Sequence, residues 1–92
     1  MKLVVSRLAA RRLREIADHV KDRSPSAAQS VQHGLRAAFA LIVAYPEIGR
    51  SHGLEVRRLT VPRLPYVIYY RTVETADEVR IITVRHAAQR PL

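Results

Sequence analysis

Cysteine is absent from the sequence, which excludes disulfide bonds, a thiolate nucleophile and a cysteine-ligated metal site. The three glycines form neither a P-loop nor a dinucleotide-binding fingerprint, so neither of these nucleotide sites is present. Apolar runs are too short for a signal peptide or a membrane span. We therefore predict a cytoplasmic protein with one domain over residues 1–92 and no membrane association.

Motifs for metal binding and covalent catalysis are also missing. The four histidines never occur three or four residues apart, the spacing that places two ligands on one helix face. The serines fall at predicted helix caps and loops, and there is no G-x-S-x-G turn. We predict no metal and no cofactor.

Acidic residues are few, at 8 against 16 basic residues, and the net charge is +8. Fourteen of the basic residues are arginine, whose planar guanidinium binds carboxylate and phosphate in a bidentate manner. This balance indicates a polyanionic partner, either nucleic acid or an acidic protein segment.

The first half of the chain predicts two helices. Lys2 to Val5 is a short extended run, and Ser6 is suited to cap a helix from residue 7 to about residue 21. Ser24-Pro25 ends that helix and begins a second one, which runs to about Val43. Gly34 lies inside the second helix, where we expect it to allow close packing against the first.

The second half predicts three strands. Glu55 to His86 holds three runs rich in Val, Ile, Thr and Tyr, separated by a proline-bounded break and by the segment VETAD. We predict an α+β fold of order β-α-α-β-β-β, in which a helical hairpin packs on one face of a small antiparallel sheet. The opposite face is then left solvated or bound to a partner, so we expect function there.

Arginine is the remaining material for a site on this sheet. Simple alternation places Arg80, Ile82, Val84 and His86 on one face of the last strand and Arg85 on the other. We predict that the arginines form a groove for phosphate or carboxylate. The predicted binding residues are Arg57, Arg58, Arg71, Arg80, Arg85 and Arg90.

At this point the sequence resembles the RelE/ParE superfamily of type II toxin–antitoxin toxins. The resemblance lies in the order of a helical hairpin, PEIGR at 46–50, VRRLTV at 56–61, PYVIYYR at 65–71 and VRIITVRH at 79–86. It implies the α+β fold predicted above. It also implies a growth-inhibiting toxin, of the kind used in plasmid stabilisation, that a cognate antitoxin holds inactive.

Two branches of that superfamily imply different activities. The RelE-like branch cleaves mRNA on the ribosome, and in that case His86 would be the general acid, with Arg58, Arg71 or Arg85 stabilising the phosphorane. The ParE-like branch inhibits DNA gyrase without cleaving RNA. Aligning the nuclease motif Y-R-V-V-Y-R with residues 66–71 places Val67 where the catalytic arginine would be, which favours the ParE-like branch. A third hypothesis is a non-toxic module whose basic face binds an acidic protein.

Overall fold

The computed structural model describes all residues from 1 to 92. Its elements, in chain order, are β1 (Lys2–Val5), α1 (Arg7–Arg23), α2 (Pro25–Ala44), β2 (Arg50–Ser51), β3 (Arg57–Thr60), β4 (Tyr66–Val73), a 3-10 turn (Glu74–Ala76) and β5 (Glu78–His86). None of the helices is both long and apolar enough to span a membrane.

Two serines define the helix starts, as the sequence predicts. The Ser6 hydroxyl accepts from the backbone N–H of Ala9 at 3.0 Å, which satisfies one of the free donors in the first turn of α1. The Ser24 hydroxyl does the same for Ala27 at 3.3 Å in α2. Pro25 is the first residue of α2, where a missing N–H has no consequence for the helix.

The sheet has five strands in the order β1-β5-β4-β3-β2. The predicted β3-β4-β5 meander is confirmed, and all of its neighbouring strands are antiparallel. Two features differ from the prediction. β1 lies beside β5 in parallel, which makes the sheet mixed, and the segment predicted as a loop contains the two-residue strand β2. Pairing between chain ends depends on contacts that no local pattern records.

The core lies between the helices and one face of the sheet, here called the helix side. Ala9, Leu35, Ala38 and Ile42 from the helices meet side chains of the sheet, all of them at most 6% exposed. The sheet contributes Tyr66, Ile68, Tyr70, Val79, Ile81 and Val84, and Val61 follows directly after β3. The two-layer arrangement predicted from the sequence is therefore confirmed.

A bulge in β5 changes which side chains share a face. Tyr69 pairs with Thr83 whereas Tyr70 pairs with Ile81, so Ile82 has no partner on β4. The bulge is held by the start of α1, because the Ser6 hydroxyl donates to the carbonyl of Ile82 at 2.7 Å. The predicted alternation along β5 is consequently wrong beyond Ile81.

The packing partner of Gly34 also differs from the predicted one, which was α1. A Cβ atom at Gly34 would lie 2.7 Å from Cδ1 of Leu64, in the connection between β3 and β4. The glycine thus allows this connection, and not α1, to approach α2.

Candidate partner-binding surfaces

Four of the predicted binding residues lie on the face of the sheet away from the helices, here called the open face. Strand register places four arginines there: Arg58, Arg71, Arg80 and Arg85. Each is paired with a residue whose side chain faces away from the core, since core-facing and open-facing residues alternate along paired strands. Arg71 pairs directly with Arg80, whereas Arg85 lies five residues further along β5, or about 16 Å away. Arg58 pairs with Tyr69, between these two positions, so the four arginines are spread along the open face instead of converging on one point.

The centre of the open face is covered by the chain itself, contrary to the prediction of a free surface. Tyr69 there is only 2% exposed. The His52 ring packs edge-on against Tyr69 with centroids 5.3 Å apart, and the Arg58 guanidinium lies 5.8 Å from the same ring. The C-terminal segment returns to this face, since the carbonyl of Leu92 is 2.8 Å from Nε2 of His52. Arg90 belongs to this exposed segment.

His86 lies on the helix side, because the bulge at Ile82 shifts the alternation of β5. It pairs with Tyr66, and the two rings are nearly perpendicular with centroids 5.8 Å apart. Its Nδ1 accepts from the N–H of Ala88 at 3.0 Å. The depression around His86 is lined by Arg12, Glu15 and His19 of α1, among others.

The residues predicted for RNA cleavage are therefore not brought together. Arg58, Arg71 and Arg85 lie on the open face, where the register position of Tyr69 separates Arg71 from Arg85, whereas His86 is on the helix side. Val67, at the position of the nuclease arginine, is 3% exposed opposite Arg85.

Arg57 has a structural contact instead of a free guanidinium. It donates to the carbonyl of Gly49 at 2.9 Å and so holds the loop after α2. The same loop is held by Tyr70, whose buried hydroxyl accepts from the N–H of Gly49 at 2.7 Å and donates to the carbonyl of Pro46 at 2.8 Å. Burial raises the pKa of Tyr70, an effect opposed by the Gly49 hydrogen bond and by the charge of Arg57.

A groove between α1 and α2 is a candidate site that the sequence analysis missed. It has a volume of about 560 Å³ and an apolar floor that includes half-buried Val20 and Phe39. Its rim carries Arg14, Lys21 and Arg36, none of which has an ion-pair partner. An apolar floor with a cationic rim suits an acidic amphipathic segment.

Sequence and structure comparisons agree with this architecture. The family model of the ParE toxin of the type II toxin–antitoxin system parDE matches residues 3–91. The protein named Toxin RelE2 from Caulobacter vibrioides is 38% identical over 77 residues, which are 84% of each chain.

Solved structures show the same fold. A chain of the chromosomal ParDE system from P. aeruginosa superposes with a TM-score of 0.78 at 29% identity, covering 94% of this chain and 95% of that one. A chain of the intact E. coli RelBE toxin–antitoxin complex gives 0.68 at 16% identity, with coverage of 97% and 98%. Since the family model spans almost the whole sequence, the chain belongs to the ParE toxin family and is the toxin component of a type II toxin–antitoxin system.

Proposed function

We propose that this toxin inhibits DNA gyrase by binding it and does not cleave RNA. The observation that carries the proposal is the position of His86, which is separated by the sheet from Arg58 and Arg85. The match to the ParE family model is a second line of support.

Cleavage of RNA needs a proton donor and a charge-stabilising cation at the same phosphate. A general acid has to lie within about 3 Å of the oxygen it protonates, and a stabilising donor within a similar distance of the developing charge. A phosphate on the open face near Arg85 is out of reach of the His86 ring, which packs on Tyr66. A phosphate beside His86 meets Arg12 of α1, but that guanidinium is already paired with Glu15 at 2.7 Å.

We further propose that an acidic segment of the antitoxin binds the groove between α1 and α2. Binding there would cover apolar side chains such as Val20 and Phe39 and pair the free cations of the rim. Burying apolar area contributes about 25 cal/mol per Å², so affinity would come chiefly from the floor, and the rim would orient the segment.

The test compares gyrase supercoiling with mRNA cleavage in a translating extract, using the same purified toxin. We expect loss of supercoiling with intact transcripts, and relief of inhibition when the antitoxin is added. His86→Ala and Arg85→Ala should inhibit gyrase as well as the wild type does.

Cleaved transcripts in the extract, lost in His86→Ala, would show a nuclease and contradict the proposal. Normal supercoiling at stoichiometric excess of toxin would contradict it as well. Unimpaired growth after induction without antitoxin would favour the third hypothesis, a module that binds an acidic protein without toxicity.

A further inference from the structure

An exposed leucine stands at the tip of the turn between β2 and β3. Leu54 is 96% exposed, whereas no other large apolar side chain exceeds 64%. Leaving a leucine in water gains nothing for folding, because its side chain buries almost no apolar area in the free toxin.

The backbone at this tip is also unfavourable for the residues it carries. Gly53, Leu54 and Glu55 have φ values of +84°, +49° and +62°, which place three consecutive residues in the left-handed region. Glycine, asparagine and aspartate adopt this region most readily, and leucine does not. Neither the turn nor the core therefore accounts for leucine at position 54.

The tip is nevertheless held firmly. The N–H of Val56 donates to the carbonyl of Gly53 at 2.9 Å, and the N–H of His52 donates to the carbonyl of Val56 at 2.7 Å. The His52 ring rests on Tyr69, which is only 2% exposed. Because these hydrogen bonds hold the backbone of the tip, binding of Leu54 by a partner costs side-chain entropy but little backbone entropy.

The charges beside the tip indicate what kind of partner fits. The adjoining depression is lined by Glu55 and Glu74 together with Arg57 and Arg71, so acidic and basic groups balance. The rim of the α1–α2 groove, in contrast, carries only cations. A polyanionic segment gains no net attraction at the tip, whereas a folded protein with an apolar pocket and a mixed polar edge matches it.

We propose that Leu54 is the anchor by which the toxin docks on its target protein, and that the antitoxin does not need it. This inference rests on the proposed function, since gyrase is the target that it assigns. Leu54 would insert into an apolar pocket of gyrase, with Glu55 beside it facing the polar edge of that pocket.

The test uses Leu54→Asn, because asparagine suits the left-handed backbone and removes the apolar anchor. We expect its Tm to equal or exceed that of the wild type, and its half-inhibitory concentration for gyrase supercoiling to rise about tenfold or more. Growth arrest on induction should weaken in parallel, while co-elution with the antitoxin should be unchanged. Leu54→Met should behave like the wild type. Leu8→Asn, the same type of change at a leucine of α1 that is 37% exposed, should keep wild-type inhibition of gyrase even where its Tm falls.

The outcomes separate this inference from the proposed function. A Leu54→Asn toxin that inhibits gyrase and arrests growth as the wild type does would overturn the anchor and leave the gyrase proposal standing. A wild type that arrests growth without affecting gyrase, together with an inactive Leu54→Asn, would keep the anchor and overturn gyrase as target. Loss of antitoxin binding in Leu54→Asn, or a wild type that neither arrests growth nor inhibits gyrase, would overturn the anchor.

Discussion

Replacing Tyr70 with phenylalanine is the most direct test of how the loop after α2 is held. The change removes one oxygen atom and leaves the ring, which is fully buried. It deprives the N–H of Gly49 and the carbonyl of Pro46 of their partners, at 2.7 and 2.8 Å. Arg57 still holds the carbonyl of Gly49, so the loop is weakened and not released.

The magnitude follows from the burial of the two groups. A buried donor left without a partner costs about 1–3 kcal/mol, and Gly49 is buried. Pro46 is half-buried, so its carbonyl regains part of its hydration and contributes about 1 kcal/mol or less. We expect Tyr70→Phe to lower the free energy of unfolding by about 2–3 kcal/mol, and the Tm by about 8–24 °C for a domain of this size.

A pH dependence provides a second signature. Because burial raises the pKa of Tyr70 above its usual 10.0, the folded state retains the phenolic proton at pH values where the unfolded state loses it. The resulting stabilisation is complete below pH 10 and is lost as the pH rises through the pKa of the folded state. The stability difference between wild type and Tyr70→Phe should therefore narrow above about pH 10.

Urea denaturation monitored by circular dichroism, from pH 7 to pH 11, measures both effects. Tyr45→Phe is the matched control, since Tyr45 is 64% exposed and its hydroxyl reaches solvent. A Tyr70→Phe protein as stable as Tyr45→Phe at pH 7, or a difference that grows with pH, would refute the account of this loop.

Three further predictions concern other contacts. Ser6→Ala should lower the free energy of unfolding by about 2 kcal/mol in urea titrations, because it loses both the α1 cap and the bond to the bulge; wild-type stability would contradict this, and Ser6→Thr is the control. Gly34→Ala should stabilise the fold by about 1 kcal/mol when Leu64 is also replaced by alanine, but not in the wild-type background, where the new Cβ meets Leu64. Thermal melts that show the same gain in both backgrounds would exclude this contact between Gly34 and Leu64. Arg14→Glu and Arg36→Glu should each weaken antitoxin binding about tenfold at low salt and less at 0.5 M NaCl in calorimetry, whereas unchanged affinities would place the antitoxin elsewhere.

The sequence predicted elements whose signals are local. Ser6 and the Ser24-Pro25 pair set the helix starts through a hydroxyl and a missing N–H, both of which act within one turn. The three strands of the meander, β3, β4 and β5, followed from β-branched and aromatic runs between clear breaks. These features depend little on the rest of the chain.

Features that depend on distant contacts were not predictable in this way. Nothing in the sequence around Ile82 marks it as a bulge. Its carbonyl has no partner on β4 and accepts instead from Ser6, which is 76 positions away in the chain. The parallel pairing of β1 and the return of Leu92 to His52 likewise join opposite ends of the molecule. The groove between α1 and α2 was not predictable either, because the helical spacing of apolar residues does not show that Val20 and Phe39 stay only half-buried.

The bulge at Ile82 also makes β5 one residue longer than its pairing with β4 requires. A chain without Ile82 would keep Tyr70 opposite Ile81 and Tyr69 opposite Thr83, now in an uninterrupted ladder. Arg85 and His86 would then keep their present sides, and the hydrogen bond from the Ser6 hydroxyl to the carbonyl of Ile82 would be lost. We therefore expect β5 to tolerate a one-residue deletion at Ile82. A deletion nearer Val79 would instead move the side chains of the following β5 residues to the opposite face of the sheet. Chemical shifts of Tyr66 and Tyr69 in the two shortened chains would distinguish these cases.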